Sequence, residues 1–152
     1  MRAIVQAKPH HFLDIVTDFG AGNAFTPHPY GHAVHIVAEK ALSDRNVVLQ
    51  LVLGCDDICR PCIHSKEGRC VDSVDHPPFS SKEEYNRTID ARIFQQLGLE
   101  EGTEIAASEF CRITRDKIGN LYDIWREVPR EHTDLRRQNL MKGISMYLRE
   151  DE

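Results

Sequence analysis

The apolar residues in the first half of the chain predict two helices and two strands. Residues 2–7 alternate weakly between polar and apolar side chains, as in a short strand, and apolar residues then recur at helical spacing from Pro9 to Gly20. Proline suits the first position of that helix, and glycine suits its end. A broad apolar stripe predicts a second helix over residues 32–43. Residues 46–53 are apolar on both faces, so they predict a buried strand.

A capping pattern indicates the start of a third helix. Ser80 and Ser81 are each followed three residues later by a glutamate, as in a capping box. Gly98 can adopt the left-handed conformation that commonly ends a helix. The apolar residues that form the predicted inner face between these two ends are Tyr85, Ile89, Ile93, Phe94 and Leu97.

The last third of the chain predicts further helices. They span residues 108–118, 120–128 and 133–149, so that C-terminal helices cover residues 108–149, and Thr133 is the expected N-cap of the last helix. The predicted strands are too few for a repeated strand–helix–strand series. The sequence therefore predicts a helix-rich α+β fold with a small sheet.

Length, charge and hydropathy narrow the function. A chain of 152 residues fits a single domain over residues 1–152. It has 24 acidic and 19 basic side chains and no long basic run, which argues against a nucleic-acid or anionic-membrane surface. The longest apolar run, residues 47–53, is much shorter than the ~20 residues of a membrane span. No apolar signal core follows Met1, so we expect a cytoplasmic protein, and a homodimer is left open.

Four of the five cysteines lie close together in the chain. All four lie within residues 54–79, here called the cysteine loop, where helix and strand signals are weak. A bound metal would account for so long an irregular stretch. In a reducing cytoplasm such a cluster is more often metal-binding than disulfide-forming. A Cys-x-x-Cys pair aims two sulfurs at one centre, and backbone amides can donate to the thiolates. The predicted metal ligands are Cys55, Cys59, Cys62 and Cys70.

The spacing leaves the identity of the metal open. Four thiolates on Zn²⁺ or on a [4Fe–4S] cluster give a similar net charge of about −2, so charge does not separate the two. His64 could replace one cysteine in a zinc site, although a solvated loop histidine is the simpler interpretation. Radical-SAM enzymes share the Cys-x3-Cys-x2-Cys spacing, but the residues after Cys70 are too few and too helical to build the barrel that their chemistry needs.

Four short segments between residues 2 and 102 carry a resemblance to a known family. They are Pro9-His10-His11, Asp56-Asp57-Ile58-Cys59-x-x-Cys62, Gly68-x-Cys70 and Leu97-Gly98-Leu99-x-x-Gly102. Together they resemble an uncharacterised bacterial and archaeal domain-of-unknown-function family of small Cys-rich proteins that are suspected of binding iron–sulfur clusters. The resemblance implies one [4Fe–4S] cluster, because a second cysteine group present in many members is missing here. It implies no particular reaction.

The resemblance accounts for three ligands and leaves the fourth open. Cys59, Cys62 and Cys70 match the family motif, whereas Cys55 stands where the family often has proline. Cys111, on a predicted helix, is the other candidate, although a buried thiol is the simpler interpretation there. We favour Cys55, because closing the short segment between it and Cys59 costs little conformational entropy.

His10 and His11 are candidate cofactor-binding residues. They match the Pro-His-His segment of the family, and a histidine there could ligate the cluster, donate to one of its sulfurs or carry a proton. Three functions remain. The first is an iron–sulfur protein with a redox or accessory role and a protein redox partner. The others are a zinc protein with a structural or interaction role, and a small enzyme that acts on a small molecule in a pocket near the two histidines.

Other polar residues have simpler local interpretations. His28, His32 and His35 lie one turn apart, but opposite the apolar stripe of the second predicted helix, so a solvated face is favoured over a second metal site. Asp56 and Asp57 follow the buried strand directly. They could form a carboxylate pair for acid–base chemistry, but capping the turn by accepting backbone amides is the simpler role.

Overall fold

The structure, a computed structural model, describes residues 3–149 and confirms the helix-rich α+β fold. Among these residues no helix is both long and apolar enough to cross a membrane. In chain order the elements are β1 (Ile4–Ala7), α1 (Pro9–Ala21), α2 (Val34–Ser43), β2 (Val48–Leu51), β3 (Ser65–Lys66), β4 (Arg69–Cys70), β5 (Ser73–His76), β6 (Phe79–Ser81), α3 (Lys82–Leu97), β7 (Glu104–Ala106), α4 (Ala107–Lys117) and α5 (Arg130–Leu148).

A three-stranded sheet forms the centre of the fold, with β2 between β1 and β7. β1 is parallel to β2 and β7 is antiparallel to it, so that Leu49 lies between Val5 and Ile105. Val5 and Leu49 are fully buried, as expected for a core strand and its neighbour. The predicted first strand agrees with β1, although Arg2 lies outside the described residues. β7 was not predicted, because three residues are too few to show a period.

The parallel pairing of β1 and β2 brings two later segments together. Parallel strands end at the same edge of a sheet, and here β1 leads into α1 while β2 leads into the cysteine loop. Backbone bonds join the two exits: the amide of Val52 donates to Ala7 O at 3.1 Å, and the amide of Asp57 donates to Gln6 O at 3.0 Å. The first turn of α1 therefore lies beside the cysteine loop.

Helices α1 and α5 approach each other closely at two glycines. A Cβ atom at Gly20 would lie 2.0 Å from the carbonyl oxygen of Asn139, and one at Gly143 would lie 2.0 Å from that of Val16. Neither position can hold a larger residue unless the two backbones separate. The prediction that Gly20 ends α1 is wrong, because Gly20 belongs to the last turn and Gly22, at φ 78°, provides the left-handed cap.

The predicted third helix agrees with α3. The hydroxyl of Ser81 accepts a hydrogen bond from the amide of Glu84 at 3.3 Å, and Gly98 ends the helix at φ 69°. All five residues of the predicted inner face are buried. These signals succeed because they are local, and each acts within one turn of the helix.

Residues 120–128 form turns instead of the predicted helix. Leu121 adopts a left-handed backbone conformation, with φ 74°, which a right-handed helix cannot contain. The side chain of Asn120 accepts from the amide of Tyr122 at 2.9 Å and so favours the turn over the helix.

The last helix begins earlier than predicted. α5 starts at Arg130, with Pro129 at its N-cap position, so the assignment of Thr133 as N-cap is wrong. Thr133 is buried within the first turn, and its hydroxyl lies 3.5 Å from the carbonyl oxygen of Pro129. Proline is compatible with this position because its fixed φ and missing N–H do not interrupt a helix start, and no side chain caps the helix.

The cysteine loop contains two short hairpins, β3–β4 and β5–β6. Glu67 and Gly68 form the first turn, with φ 52° and 79°. The expectation of a stretch with little strand structure is therefore wrong in detail. Strands of two to four residues are too short for alternation to reveal them.

Candidate functional site

Two of the predicted metal ligands contact each other. The Sγ atoms of Cys55 and Cys59 are 3.2 Å apart, and the amide of Asp56 donates to Cys59 Sγ at 3.1 Å. Both cysteines are half-buried free thiols. Burial, together with the charge of Asp56, raises the pKa of the Cys59 thiol. A metal ion would therefore have to displace a proton from this sulfur.

Cys62 and Cys70 lie in the same part of the structure. The amide of Cys62 donates to Cys59 O at 2.9 Å, and the carbonyl oxygen of Cys62 accepts from Ser65 N at 3.0 Å. Ser65 pairs with Cys70 across the β3–β4 hairpin, and its hydroxyl lies 3.5 Å from Cys55 Sγ. Ser65 thus contacts or pairs with three of the four cysteines, Cys55, Cys62 and Cys70. Within residues 3–149, however, no three His, Cys, Asp or Glu side chains converge closely enough to hold a metal ion.

The buried carboxylate of Asp56 organises the first turn of the cysteine loop. Its Oδ1 atom accepts from the amides of Ile58 and Cys59, at 3.1 and 2.9 Å. Its Oδ2 atom lies 2.7 Å from both the amide nitrogen of Lys8 and Nδ1 of His11. Burial opposes ionisation, but the His11 imidazole and the amides hold the pKa of Asp56 well below its usual range. The interpretation of Asp56 as a turn cap is confirmed, and the same carboxylate reaches α1.

A second buried carboxylate, Asp90 of α3, holds His10. It accepts from the His10 amide at 2.7 Å, and its two oxygens lie 3.0 and 2.9 Å from His10 Nδ1. Burial lowers the pKa of His10, but the charge and hydrogen bond of Asp90 outweigh burial, and the pKa is raised above 6.5. Distant carboxylates therefore satisfy the first amides of α1, whose N-cap side chain makes no such bond. Sequence reasoning missed Asp90, which is 80 residues from its partner.

Lys8, just before α1, is a buried cation with 1% of its surface exposed. Its ammonium group makes no hydrogen bond or ion pair with the residues that the structure describes. Its charge favours the anionic forms of Cys59 and Glu83. Glu83 is itself buried and accepts from the amide of Cys70 at 2.8 Å. No pattern in the sequence distinguishes Lys8 from a surface lysine.

His64 is half-buried, whereas the simpler sequence interpretation had it solvated. Its Nε2 atom is buried without a hydrogen-bond partner, and the nearest carboxylate oxygen, from Asp72, is 4.0 Å away. Its amide nitrogen lies 3.5 Å from Cys62 Sγ. His64 therefore combines an unpartnered ring nitrogen with a backbone amide close to Cys62.

The other predicted histidine group is only partly solvated. His28 is exposed, and its ring stacks on that of His32 with centroids 4.5 Å apart. His32 and His35 are half-buried, and Nδ1 of His35 lacks a partner among the described residues. Burial, followed by the charge of His28, lowers the pKa of His32. The prediction of a solvated face therefore holds for His28 alone.

Cys111 lies in the hydrophobic core on α4 and has no exposed surface. Burial raises the pKa of its thiol to about 12. The interpretation of Cys111 as a small buried apolar side chain is confirmed. It belongs to the core, while Cys55 contacts Cys59 directly.

A cavity of about 280 Å³, the histidine cavity, lies beside His10 and His11. Because Nδ1 of each histidine is held by a buried carboxylate, Nε2 is the nitrogen that remains for a ligand. A cavity therefore lies beside the two candidate cofactor-binding histidines. Its other polar lining residues include Asp14, His76, Lys82, Asn86 and Arg136.

Comparison with known proteins identifies the family. The model of a family described as "protein of unknown function (DUF1284)" matches residues 28–127, which is more than half of the chain. The chain is a member of the DUF1284 family. No curated protein and no solved structure gives a significant match. The predicted membership of a domain-of-unknown-function family is thus confirmed.

The DUF1284 match covers only part of the candidate functional site. All four cysteines of the loop, together with Asp56 and Asp90, lie within residues 28–127. Lys8, His10 and His11 precede the matched residues, so the match does not extend to the predicted Pro-His-His segment. The DUF1284 region supplies the thiols and carboxylates, whereas the histidines come from α1 and the buried lysine directly precedes it.

Proposed function

We propose that this DUF1284 protein binds a [4Fe–4S] cluster through Cys55, Cys59, Cys62 and Cys70 and has a redox or accessory role. The observation that carries the proposal is the contact between Cys55 Sγ and Cys59 Sγ, beside a largely buried lysine, Lys8, whose charge favours the Cys59 thiolate. A cluster held by four thiolates has a net charge of about −2, so a nearby cation such as Lys8 would stabilise it.

Lys8 supplies a positive charge beside the proposed site. Its side chain is almost fully buried, and its charge favours the anionic forms of Cys59 and Glu83. A poorly hydrated cation gains more from a nearby anion than a cation at the surface does. Thiolates bound to a metal centre would add negative charge within reach of this lysine.

Backbone amides directed at sulfur support the same site. The amide of Asp56 donates to Cys59 Sγ at 3.1 Å, and that of His64 lies 3.5 Å from Cys62 Sγ. Such donors stabilise metal-bound thiolates and influence the reduction potential of iron–sulfur clusters. The buried carboxylate of Asp56 fixes the backbone around the first of these donors, because it accepts from the amides of Ile58 and Cys59.

Zinc is the second candidate, and one distance favours it. Two thiolates on one tetrahedral Zn²⁺ lie roughly 3.8 Å apart, given a Zn–S bond of about 2.3 Å. Cys55 Sγ and Cys59 Sγ, at 3.2 Å, are close to that separation. Sulfurs bound to different irons of a cluster lie farther apart, so these two cysteines would have to separate in order to bind one.

Metal analysis of protein purified without oxygen tests the proposal. We expect a brown protein that bleaches with dithionite and contains about four irons and four sulfides per chain, because thiolate-to-iron charge transfer gives iron–sulfur proteins their colour. A colourless protein with one equivalent of zinc would replace the cluster by the second candidate. Protein that takes up neither metal would refute both.

Matched variants test the ligand assignment. Cys55→Ser, like serine at the other three positions, should remove most of the bound metal, whereas Cys111→Ala should retain it, because Cys111 lies in the core. Alanine is the better replacement in the core because it buries no hydroxyl group. Loss of metal from Cys111→Ala, with full retention in Cys55→Ser, would reverse the assignment.

A further inference from the structure

We propose that the histidine cavity binds a small oxyanion, a carboxylate or a phosphate, with Asn86, His10 and His11 as hydrogen-bond donors. The proposal concerns a site separate from the cysteines and does not depend on which metal they bind. It rests on an unpartnered amide, on two oriented imidazoles and on the charges that line the cavity.

Asn86 provides the observation that points to a ligand. It lines the histidine cavity, only 8% of its surface is exposed, and its side-chain amide makes no hydrogen bond with any residue between 3 and 149. The amide atoms are not among the polar atoms that are sealed from solvent, so the group is available to a ligand that enters the cavity. The NH₂ group of Asn86 can donate two hydrogen bonds to an oxyanion in the cavity.

The two histidines are fixed in orientation by carboxylates on the side away from the cavity. Asp90 holds Nδ1 of His10, and Asp56 holds Nδ1 of His11. Both carboxylates are fully buried, which makes them strong anchors. Each imidazole then has Nε2 free to bind a ligand in the histidine cavity, and an imidazole whose Nδ1 is held by a carboxylate can donate from Nε2 when it is protonated.

Among the side chains that line the cavity, cations outnumber carboxylates, while the carboxylates of Asp56 and Asp90 are bonded to the two histidines. Lys82 and Arg136 line it, and Asp14 is the carboxylate among the lining residues. Asp14 is already paired with Arg136, at 2.6 Å, and Asp72 lies 3.6 Å from Lys82 Nζ. These pairs are partly exposed and therefore weak, so either cation can turn towards a ligand at little cost. A volume of about 280 Å³ suits a small molecule.

Trp125 allows binding to be measured directly. It is the one tryptophan in the chain, it lines the histidine cavity, and the guanidinium carbon of Arg136 lies 4.3 Å from the centre of its ring. The full-length protein, purified without oxygen with its metal, is titrated with inorganic phosphate and separately with succinate. Chloride at equal ionic strength is the reference. We expect a saturable change in Trp125 fluorescence, confirmed by calorimetry, and the more tightly bound anion indicates the ligand class.

Two pairs of variants identify the site. Asn86→Asp places a negative charge where the ligand would accept, and should weaken binding at least about tenfold, while Asn46→Asp makes the same change at an exposed position and should leave binding unchanged. Lys82→Gln, at a partly exposed position, should also weaken binding, with Lys66→Gln as its control.

The outcomes separate this proposal from the metal site. Absence of a saturable response to either anion, or equal binding by Asn86→Asp and Asn46→Asp, would overturn it. If Asn86→Asp fails to fold, as judged by its melting temperature, the comparison of Lys82→Gln with Lys66→Gln decides. Metal content is measured on the same samples, so failure to bind metal and failure to bind anion are seen independently.

Discussion

Buried carboxylates determine how single residues are presented in this protein. Asp56 and Asp90 each bind a backbone amide at the start of α1 and, at the same time, the Nδ1 atom of a histidine. One side chain thus satisfies a backbone amide at the helix start and fixes the orientation of an imidazole. These bonds explain why α1 needs no hydrogen-bond acceptor in its own N-cap side chain, which is that of Lys8.

Replacing Asp90 with asparagine should lower the pKa of His10. In the native protein Asp90 raises that pKa above 6.5 against the opposing effect of burial. Asparagine keeps an acceptor for the His10 amide but removes the charge, so burial would then dominate and bring the pKa below 6.5. NMR titration of the imidazole signals measures the change, and Asp116→Asn, at an exposed position, is the control.

The raised pKa of His10 should also make the stability of the protein depend on pH. Because its folded pKa is raised, protonated His10 stabilises the fold below pH 6.5, and this contribution is lost as the pH rises through the folded pKa. In Asp90→Asn the sign reverses, because burying the protonated imidazole then destabilises the fold at low pH. Denaturation at pH 5.5 and pH 8 should show a larger effect of the substitution at the lower pH. An equal effect at both would contradict the argument.

At the scale of secondary-structure elements, the contact between α1 and α5 leaves no room for a larger side chain at either of two glycines. These helices lie at opposite ends of the chain, and their backbones touch at Gly20 and Gly143. A close helix contact of this kind depends on the absence of side chains, so it cannot be repaired by repacking neighbours. The position of α1, and with it the histidine cavity, therefore depends on α5.

Gly143→Ala should destabilise the protein although alanine is the better helix former. The added Cβ would lie 2.0 Å from the carbonyl oxygen of Val16, so the helices must separate, at a cost of about 3 kcal/mol or more. The gain in helix propensity, roughly 1 kcal/mol, is smaller. Chemical denaturation measures the loss, and Gln138→Ala on the exposed face of α5 is the matched control. A Gly143→Ala variant as stable as the control would disprove close contact.

At the scale of the whole molecule, local signals predicted the fold well. The Ser81 cap, the Gly98 terminus and the inner face of α3 were all readable, because each depends on neighbouring residues. The two hairpins of the cysteine loop were missed, since their strands are very short. The turns at residues 120–128 were missed because nothing in a leucine side chain indicates the left-handed backbone conformation that Leu121 adopts.

Only those residues of the candidate site that lie close together in the sequence could be predicted from the sequence. The four cysteines are close in the chain, so their grouping was evident before the structure. Lys8 and Asp90 were missed, because their roles arise from burial and from a partner that folding brings close. Asn86 was missed for the same reason, since nothing along the chain distinguishes it from a solvated helical asparagine.

Removal of the metal that we propose for the four cysteines should loosen the cysteine loop before the rest of the molecule. Its hairpins are short and largely exposed, so bound metal would contribute directly to their folding. The loop also bonds to the segment before α2: the amide of Ile63 donates to Tyr30 O at 2.8 Å, and that of Ala33 to Ile58 O at 2.8 Å. Hydrogen exchange after chelation should therefore show lost protection in both segments while α1 and α5 remain protected. Uniform loss, or none, would contradict this expectation.

The carboxylate of Asp56 lies between the proposed metal site in the cysteine loop and the proposed anion site in the histidine cavity. It accepts from Cys59 in the loop and lies 2.7 Å from Nδ1 of His11 at the histidine cavity. Any movement of Asp56 that accompanies binding of the proposed metal would therefore be transmitted to an imidazole of the proposed anion site. By thermodynamic reciprocity, the factor by which metal changes anion affinity equals the factor by which the anion changes metal affinity. Through one buried carboxylate, each proposed ligand would thus act as an effector of the other.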